Sequence, residues 1–373
     1  MLEAGRQEAA AHCNQFVLVL HDWSLLRYGN HASKADRVAL SSTHKPDGYE
    51  LYSAILASDR DGLPLAPAVL SLRAADGVHC SRCDWVRTPA SPLDELDPAM
   101  SFIEEQRLPF PLVHVIDAEA DSVWHYRQWT QRPDRLFVVR CDDRIATFEG
   151  HECRFSAIRQ QQLKANAFRK TRPVRYRGRA AEQWIAEVSV TLTRPAQRNR
   201  PGRGDRQRIP GPPVTLRLII SEVRDAQGQV LAIWYLLSNV PAEQDAATIA
   251  LWYYWRWTIE SYFKLLKSAG MHAESWQQET AAAIARRLLV ASMACVCVWR
   301  LAHSTHPQAD ATRRLLVRLS GRQMKHRCAF TLPAMLAGLW SLLAMLEVLE
   351  THSVDELREL AELVMPHLAK KPP

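Results

Sequence analysis

Three carboxylates and a helix rich in bases are the residues whose types and spacing could do chemistry in this chain. Asp22 follows the apolar run Phe16–Leu20 (FVLVL) after His21, Asp117 follows Leu112–Ile116 (LVHVI), and Glu260 sits in the Gly- and Pro-free stretch Tyr253–Lys267. Acids from two strand ends and a helix are hard oxygen donors. Such a set suits Mg2+ or Mn2+, which take carboxylates and keep water for substrate phosphates. Two such ions about 4 Å apart can activate a water or a 3′-hydroxyl and stabilise the leaving oxygen of a phosphodiester. In that arrangement Asp22 bridges the two ions, and Asp117 and Glu260 complete separate sides. Glu119, Asp121 and Asp142 compete with Asp117 for the second position, and Asp121 also reads as the N-cap of the next helix.

The stretch around Glu260 is long enough for four helical turns. At about 100° per residue, Tyr253, Arg256, Glu260, Lys264 and Lys267 fall on one stripe. Trp252, Trp255, Ile259, Phe263 and Leu266 form an apolar stripe beside it. A salt-bridged amphipathic helix has the same pattern. The rest of the chain decides between that and an acid set among phosphate-binding bases.

The elements that must position these groups alternate. Phe16–Leu20 and Leu112–Ile116 read as buried strands, and Trp23–Pro46 as an irregular exposed loop. Tyr49–Ser58 and Ala66–Arg73 read as a hairpin turning at Asp61-Gly62. Helices are expected over Pro92–Gln106 and Ala120–Gln131, with a strand at Leu136–Arg140. This alternation predicts an α/β sheet, where ligand chemistry gathers at strand C-terminal ends. From Asp142 the pattern changes to short strands, at Val174–Arg177, Trp184–Thr193, Thr215–Val223 and Val230–Leu237. The Arg-, Gly- and Pro-rich Arg194–Pro213 interrupts them as a flexible basic loop. A long helix begins at Ala242, and Thr280–Met365 reads as helical throughout, with no internal repeat.

At 373 residues, with 47% hydrophobic and 23% charged content, the chain is a folded protein of one large domain with insertions or of two. The net charge of +7 is uneven: residues 151–210 hold 15 Lys and Arg against 4 Asp and Glu. A polyanion is therefore a natural partner. The N-terminus lacks the apolar core of a signal peptide, and the nearest approach to a membrane span, Leu288–Val298, is short and flanked by Arg287 and Arg300. The eight cysteines fit a reducing cytoplasm. Cys80 and Cys83 form a C-x-x-C that reads as two reduced thiols; a zinc site would need His151 and Cys153 as the second pair.

Tyr253, Arg256, Glu260 and Lys267 have the spacing Y-x2-R-x3-E-x6-K. It resembles the YREK signature of the bacterial insertion-sequence-four family of DDE transposases. His21-Asp22-Trp23-Ser24 resembles that family's first catalytic strand end, and Asp117-Ala118-Glu119-Ala120-Asp121 its second. Trp234-Tyr235-Leu236-Leu237-Ser238 resembles the strand whose leading Trp holds a flipped base. The resemblance implies a ribonuclease-H-like mixed sheet flanked by helices, with residues 16–141 and 239–275 forming the core and residues 142–238 a β-rich basic insertion. Residues 1–15 are then a short lead, and residues 276–373 an all-α region that could dimerise. It further implies Asp22, Asp117 and Glu260 as catalytic metal ligands, two Mg2+ ions (replaceable by Mn2+), and cut-and-paste transfer of a 3′-hydroxyl into target DNA. Some relatives pass through a hairpin intermediate. Tyr253, Arg256, Lys264 and Lys267 would contact phosphates and Trp234 a base, while Arg198, Arg200 and Arg203 of the basic loop would contact the DNA backbone. The partners are double-stranded DNA and a second copy in a synaptic complex. Relatives carry an N-terminal end-recognition domain, and about fifteen residues precede Phe16 here. The alternative expectation is a truncated, inactive DNA-binding remnant.

Overall fold

Apolar runs and period-two patterns dominate residues 17 to 238, and all but one two-stranded ribbon assemble into one mixed sheet. The computed structural model describes residues 2–40, 46–86, 92–199 and 206–364. After helix α1 (Leu2–His12) come β1 (Val17–Arg27), β2 (Val38–Ala39), β3 (Pro46–Ser58), β4 (Pro64–Arg73), β5 (Val78–Cys80) and β6 (Cys83–Val86). Helix α2 (Leu96–Glu105), β7 (Leu112–Ile116), α3 (Val123–Trp129) and β8 (Leu136–Cys141) follow. The next segment contains β9 (Ile145–Phe148), β10 (His151–Arg154), α4 (Phe155–Lys164), β11 (Arg169–Tyr176) and β12 (Arg179–Leu192). It continues through β13 (Ala196–Asn199), β14 (Arg206–Ile209), β15 (Val214–Arg224) and β16 (Val230–Ser238). The remainder is helical: α5 (Ala246–Arg256), α6 (Thr258–Lys264), α7 (Ala281–His303), α8 (Ala309–Leu319), α9 (Leu332–Thr351) and α10 (Val354–Val364).

The sheet order is β10-β9-β12-β15-β16-β8-β7-β1-β3-β4-β5-β6, with β11 also on β12 and β2 on β3. At its centre β4, β3 and β1 are antiparallel neighbours, and β7 and β8 run parallel to β1. The α/β class expected from the alternation is observed. The basic segment is not a separate sheet: β16 pairs with β8, so its main strands extend the central one.

Both faces are covered, which is why β1 and β7 read as unbroken apolar runs. On one face Leu18, Leu20, Val113 and Val115 pack against Trp252, Tyr253 and Ile259. On the other, Val17, Val19 and Ile116 pack with Met100, Ile103 and Trp129. Each such side chain buried contributes about 1.5–3 kcal/mol. The turn between β3 and β4 fixes the helical layer: Gly62 (φ +71°) lies under the Trp255 indole, where a Cβ would meet the ring at 2.6 Å.

Four expectations need correction. β1 does not end at Leu20 but runs to Arg27, because pairing with β3 continues from Asp22–Ser53 to Arg27–Gly48 after its parallel partner β7 has ended. The segment after Asp142 contains helix α4, so it is not all β. The described part of Arg194–Pro213 is an antiparallel ribbon, β13 with β14, rather than a loop. Buried Arg127 pins its base, donating to the carbonyls of Pro212 (2.8 Å), Arg194 (3.0 Å) and Ile209 (3.4 Å). Finally, two helices are long and apolar enough to cross a membrane, α7 and α9, where the sequence suggested no such run. α7 is half buried in the core, whereas the C-terminal half of α9 is exposed.

Candidate functional site

Strand pairing brings the two aspartates together. The parallel register pairs Leu20 with Val115, and the same offset sets Asp22 beside Asp117, two residues further along. Side chains alternate along a strand, so both acids share the face of Leu20 and Val115, on which α5 packs. His21 and His114 project to the opposite face, where His21 Nε2 and His114 Nδ1 are 2.8 Å apart and both rings are buried.

From α5, Arg256 reaches both acids. Its Nη2 donates to Asp117 Oδ2 at 2.6 Å, and its Nη1 lies 3.2 Å from Asp22 Oδ2. Tyr253, one turn earlier, donates its hydroxyl to Asp117 Oδ1 at 3.2 Å. Arg140, near the end of β8, adds a second guanidinium 2.5 Å from the same oxygen. The Arg256 side chain is 3% exposed, and its Nε and Nη1 have no hydrogen-bond partner among the described residues. At Nη1 the ion pair with Asp22 is thus close in distance but poorly aligned.

The two acids differ electrostatically. Burial pushes the Asp22 carboxyl above the usual aspartate value, and Arg256 with the Trp23 N–H offsets this only in part. Asp117 is desolvated too, but Arg256, the Ala118 N–H, Arg140 and Tyr253 together hold it below that value. Glu119 is raised by burial and then by the charges of Asp22 and Asp117, so it stands within the field of both. Asp121 is committed elsewhere: it accepts from the Tyr126 hydroxyl and the Asp142 N–H and pairs with Arg144 at 2.6 Å. Nor does Asp121 cap α3, since Ser122 accepts from Trp124 N.

The expected continuous helix is broken. α5 ends at Arg256 and α6 starts at Thr258; across the break Trp257 N bonds Tyr254 O, and Glu260 N bonds Trp257 O. These three-residue steps tighten the turn, and Thr258 Oγ1 donates to Trp255 O within it. A single wheel therefore does not hold through Lys267. Tyr253 and Arg256 are buried on the acids, whereas Glu260 and Lys264 are exposed. Lys267 returns to the site, 3.4 Å from Ser24 Oγ and 3.7 Å from Glu274. A π turn, Leu265–Ala269, follows α6. The apolar stripe behaves as expected, with Trp252, Ile259, Phe263 and Leu266 buried.

Trp234 is only 8% exposed, and its ring lies against Tyr176, Tyr253 and Trp257. Trp257, 40% exposed, is the accessible indole of this cluster. Sequence reasoning missed it because it lies off both helical stripes. Arg140 was missed too, although its place near the end of a strand adjacent to β7 could have flagged it. Arg198 lies on β13, with its side chain outside the described residues, and Arg200 and Arg203 also lie outside them.

Two carboxylates converging on a seated guanidinium form a place built for positive charge, and their oxygen donors are of the kind a hard divalent cation takes. Among the described residues, no three His, Cys, Asp or Glu side chains are close enough to hold an ion. Asp22 and Asp117 are donors of the right kind but are paired with Arg256, and Glu260 is not grouped with them. The zinc pairing is excluded by topology: Cys80 and Cys83 face each other at one edge of the sheet, while His151 and Cys153 are on β10 at the other.

Fold and site together define an α/β protein with an acid pair just past the end of the parallel β1–β7 pairing, closed by a Tyr–Arg helix. No family model and no curated protein matches the chain.

Proposed function

We propose that the protein is a DDE-type DNA transposase with a ribonuclease-H-like core, cutting DNA at transposon ends and transferring the freed 3′-hydroxyl to a target. The observation that carries this reading is the Asp22–Arg256–Asp117 cluster, because it unites both strand-end motifs and the signature helix at one point. Those three segments are 95 and 139 residues apart in sequence (117 − 22 and 256 − 117).

Asp22 and Asp117 would hold metal, which when bound activates the attacking oxygen and stabilises the leaving one; Glu260, the third acid that the resemblance implies, is not grouped with them in this structure. The residues of the chain do the positioning. Arg256 is always charged and forked, so it can exchange a carboxylate for a phosphate oxygen. Tyr253 donates from the same side, and the burial that raises its hydroxyl's pKa keeps it a donor at neutral pH. Arg140 and Lys267 flank the pair from β8 and from beyond α6, where they can neutralise phosphates on either side of the scissile one.

The test is Mg2+-dependent cleavage and joining of DNA that carries the sequences flanking the gene. Asp22→Ala, Asp117→Ala and Glu260→Ala should each abolish product while the far-ultraviolet circular dichroism stays unchanged. Undiminished cleavage by all three would overturn the reading. The exposed position of Glu260 favours a second reading, a DNA-binding remnant without catalysis. Binding that weakens steeply with salt, with no cleavage of any duplex, would support it.

A further inference from the structure

The hairpin of β11 and β12 carries a basic tip that neither the signature helix nor the Arg194–Pro213 ribbon includes. Lower on the hairpin the bases are committed: Arg169 pairs with Asp245, Lys170 with Glu182, and Arg172 donates to the Ala247 carbonyl. At the tip they are not. Arg175, Arg177 and Arg179 are exposed, and among the described residues no carboxylate pairs with any of them. The turn joins Tyr176 to Arg179 through Arg177 (φ 47°) and Gly178 (φ 79°), both left-handed. Such two-residue turns favour Asn-Gly or Asp-Gly; this one holds an arginine where a smaller residue would be less strained.

The tip is fixed relative to the acid pair. Helix α5 reaches Asp117 with Tyr253, and its neighbour Tyr254 donates to the Arg175 carbonyl at 3.3 Å. The Tyr176 ring is 6.4 Å from Trp234, which is 6.3 Å from Tyr253, so the tip stands two ring contacts from the carboxylates. The Arg177 guanidinium lies over the Tyr176 ring at 5.3 Å.

We infer that this tip is a phosphate-binding wing that holds a DNA duplex against the acid pair, with Arg175, Arg177 and Arg179 on the backbone. The inference rests on the transposase reading for the choice of DNA, but its observations are independent of Glu260 and of metal. These guanidiniums have no acid to give up on meeting phosphate, and that of Arg177 is already placed over the Tyr176 ring. Contacts to phosphate fix register on a duplex without selecting sequence.

The experiment measures binding of the full chain to a labelled duplex of arbitrary sequence by fluorescence anisotropy, across a salt series. Each phosphate contact contributes about 0.9 to the slope of log affinity against log salt. The variant R175Q/R177Q/R179Q should lower that slope by about 2–3 and weaken binding about 10- to 100-fold at low salt. Its melting temperature should not change, since all three side chains are exposed. Wild-type affinity and slope in this variant would overturn the inference. Tighter binding of an RNA duplex, lost in the same variant, would overturn the assignment to DNA. Cleavage of end-bearing DNA is read separately, so a reduced slope in the variant supports the wing whether or not the wild type cleaves, and the two readings can fail independently.

Discussion

Asp22 and Asp117 stand at one register across neighbouring parallel strands, each two residues past the Leu20–Val115 pair, and one guanidinium, that of Arg256, lies against both. The acids are thus held together by backbone pairing, while the cation comes from a helix. Two carboxylates kept close by a sheet would repel one another without that charge.

Replacing Arg256 with methionine tests this directly. The variant keeps most of the side-chain volume but leaves two partly buried acids facing each other, so a loss of about 3–5 kcal/mol at neutral pH is expected. Divalent cations should then substitute for the guanidinium. Millimolar Mg2+ should raise the melting temperature of Arg256→Met markedly and that of the wild type little, since a ligand stabilises the state that binds it. Equal shifts in both proteins would mean that the acids do not converge on a cation position.

The two indoles separate packing from contact. Trp234 is core, so Trp234→Ala should cost about 3–5 kcal/mol of stability. Trp257 is 40% exposed, so Trp257→Ala should cost under about 1 kcal/mol. On DNA the order should reverse for the folded proteins, because Trp257 offers its face to a base and stacking is worth about 1–3 kcal/mol. A Trp257→Ala protein with undiminished DNA affinity would remove this residue from the interface.

Much of this arrangement was legible in the sequence, and the failures are physical. The acids could be found because apolar runs ending in aspartate mark strands covered on both faces, and Val17–Leu20 and Leu112–Ile116 are such runs. The helical wheel put Glu260 with Tyr253 and Arg256 because nothing between Tyr253 and Lys267 breaks a helix by type. The break at Trp257 comes from tertiary demands on Arg256 and from the Thr258 bond to Trp255 O, neither of which periodicity registers. The ribbon of β13 and β14 was hidden for a related reason. Its composition is that of a loop, and its anchor, Arg127, lies 82 residues before Ile209.

That anchor gives the next prediction. Arg127→Met removes a buried guanidinium bonded to three carbonyls, and each carbonyl left unpaired costs about 1 kcal/mol or more. The lesion should be local. Limited trypsin digestion should cut after Arg208, at the base of the ribbon, faster in the variant than in the wild type under conditions where neither unfolds globally. Matching digestion patterns would show that the ribbon is held by something else.

Acid should unfold the protein in two stages, governed by groups on the far side of the sheet. Burial holds the His114 imidazole below the usual histidine value, although Glu104 favours its charged form. His21, bonded to it and to the Tyr52 hydroxyl, is lowered still further. The unfolded chain can take these protons and the folded one resists them, so stability falls as the pH drops below about 6.5. Glu104 then acts at lower pH. Burial opposes its ionisation, but His114 and Arg135 outweigh this and bring its carboxyl down to about 2. The stability it supplies is complete above the unfolded value of about 4.5 and is lost as pH falls from there toward 2, to the extent of roughly 2 kcal/mol. Asp22 works in the opposite sense, its raised value favouring the protonated folded state, and it softens this second stage. Urea midpoints at neutral pH, near pH 5.5 and near pH 3.5 measure both stages. Glu104→Gln should flatten the second stage and, because it removes the charge that favours protonated His114, deepen the first. Midpoints that stay constant from neutral pH to 5.5 would show that the histidine pair accepts protons freely in the folded protein.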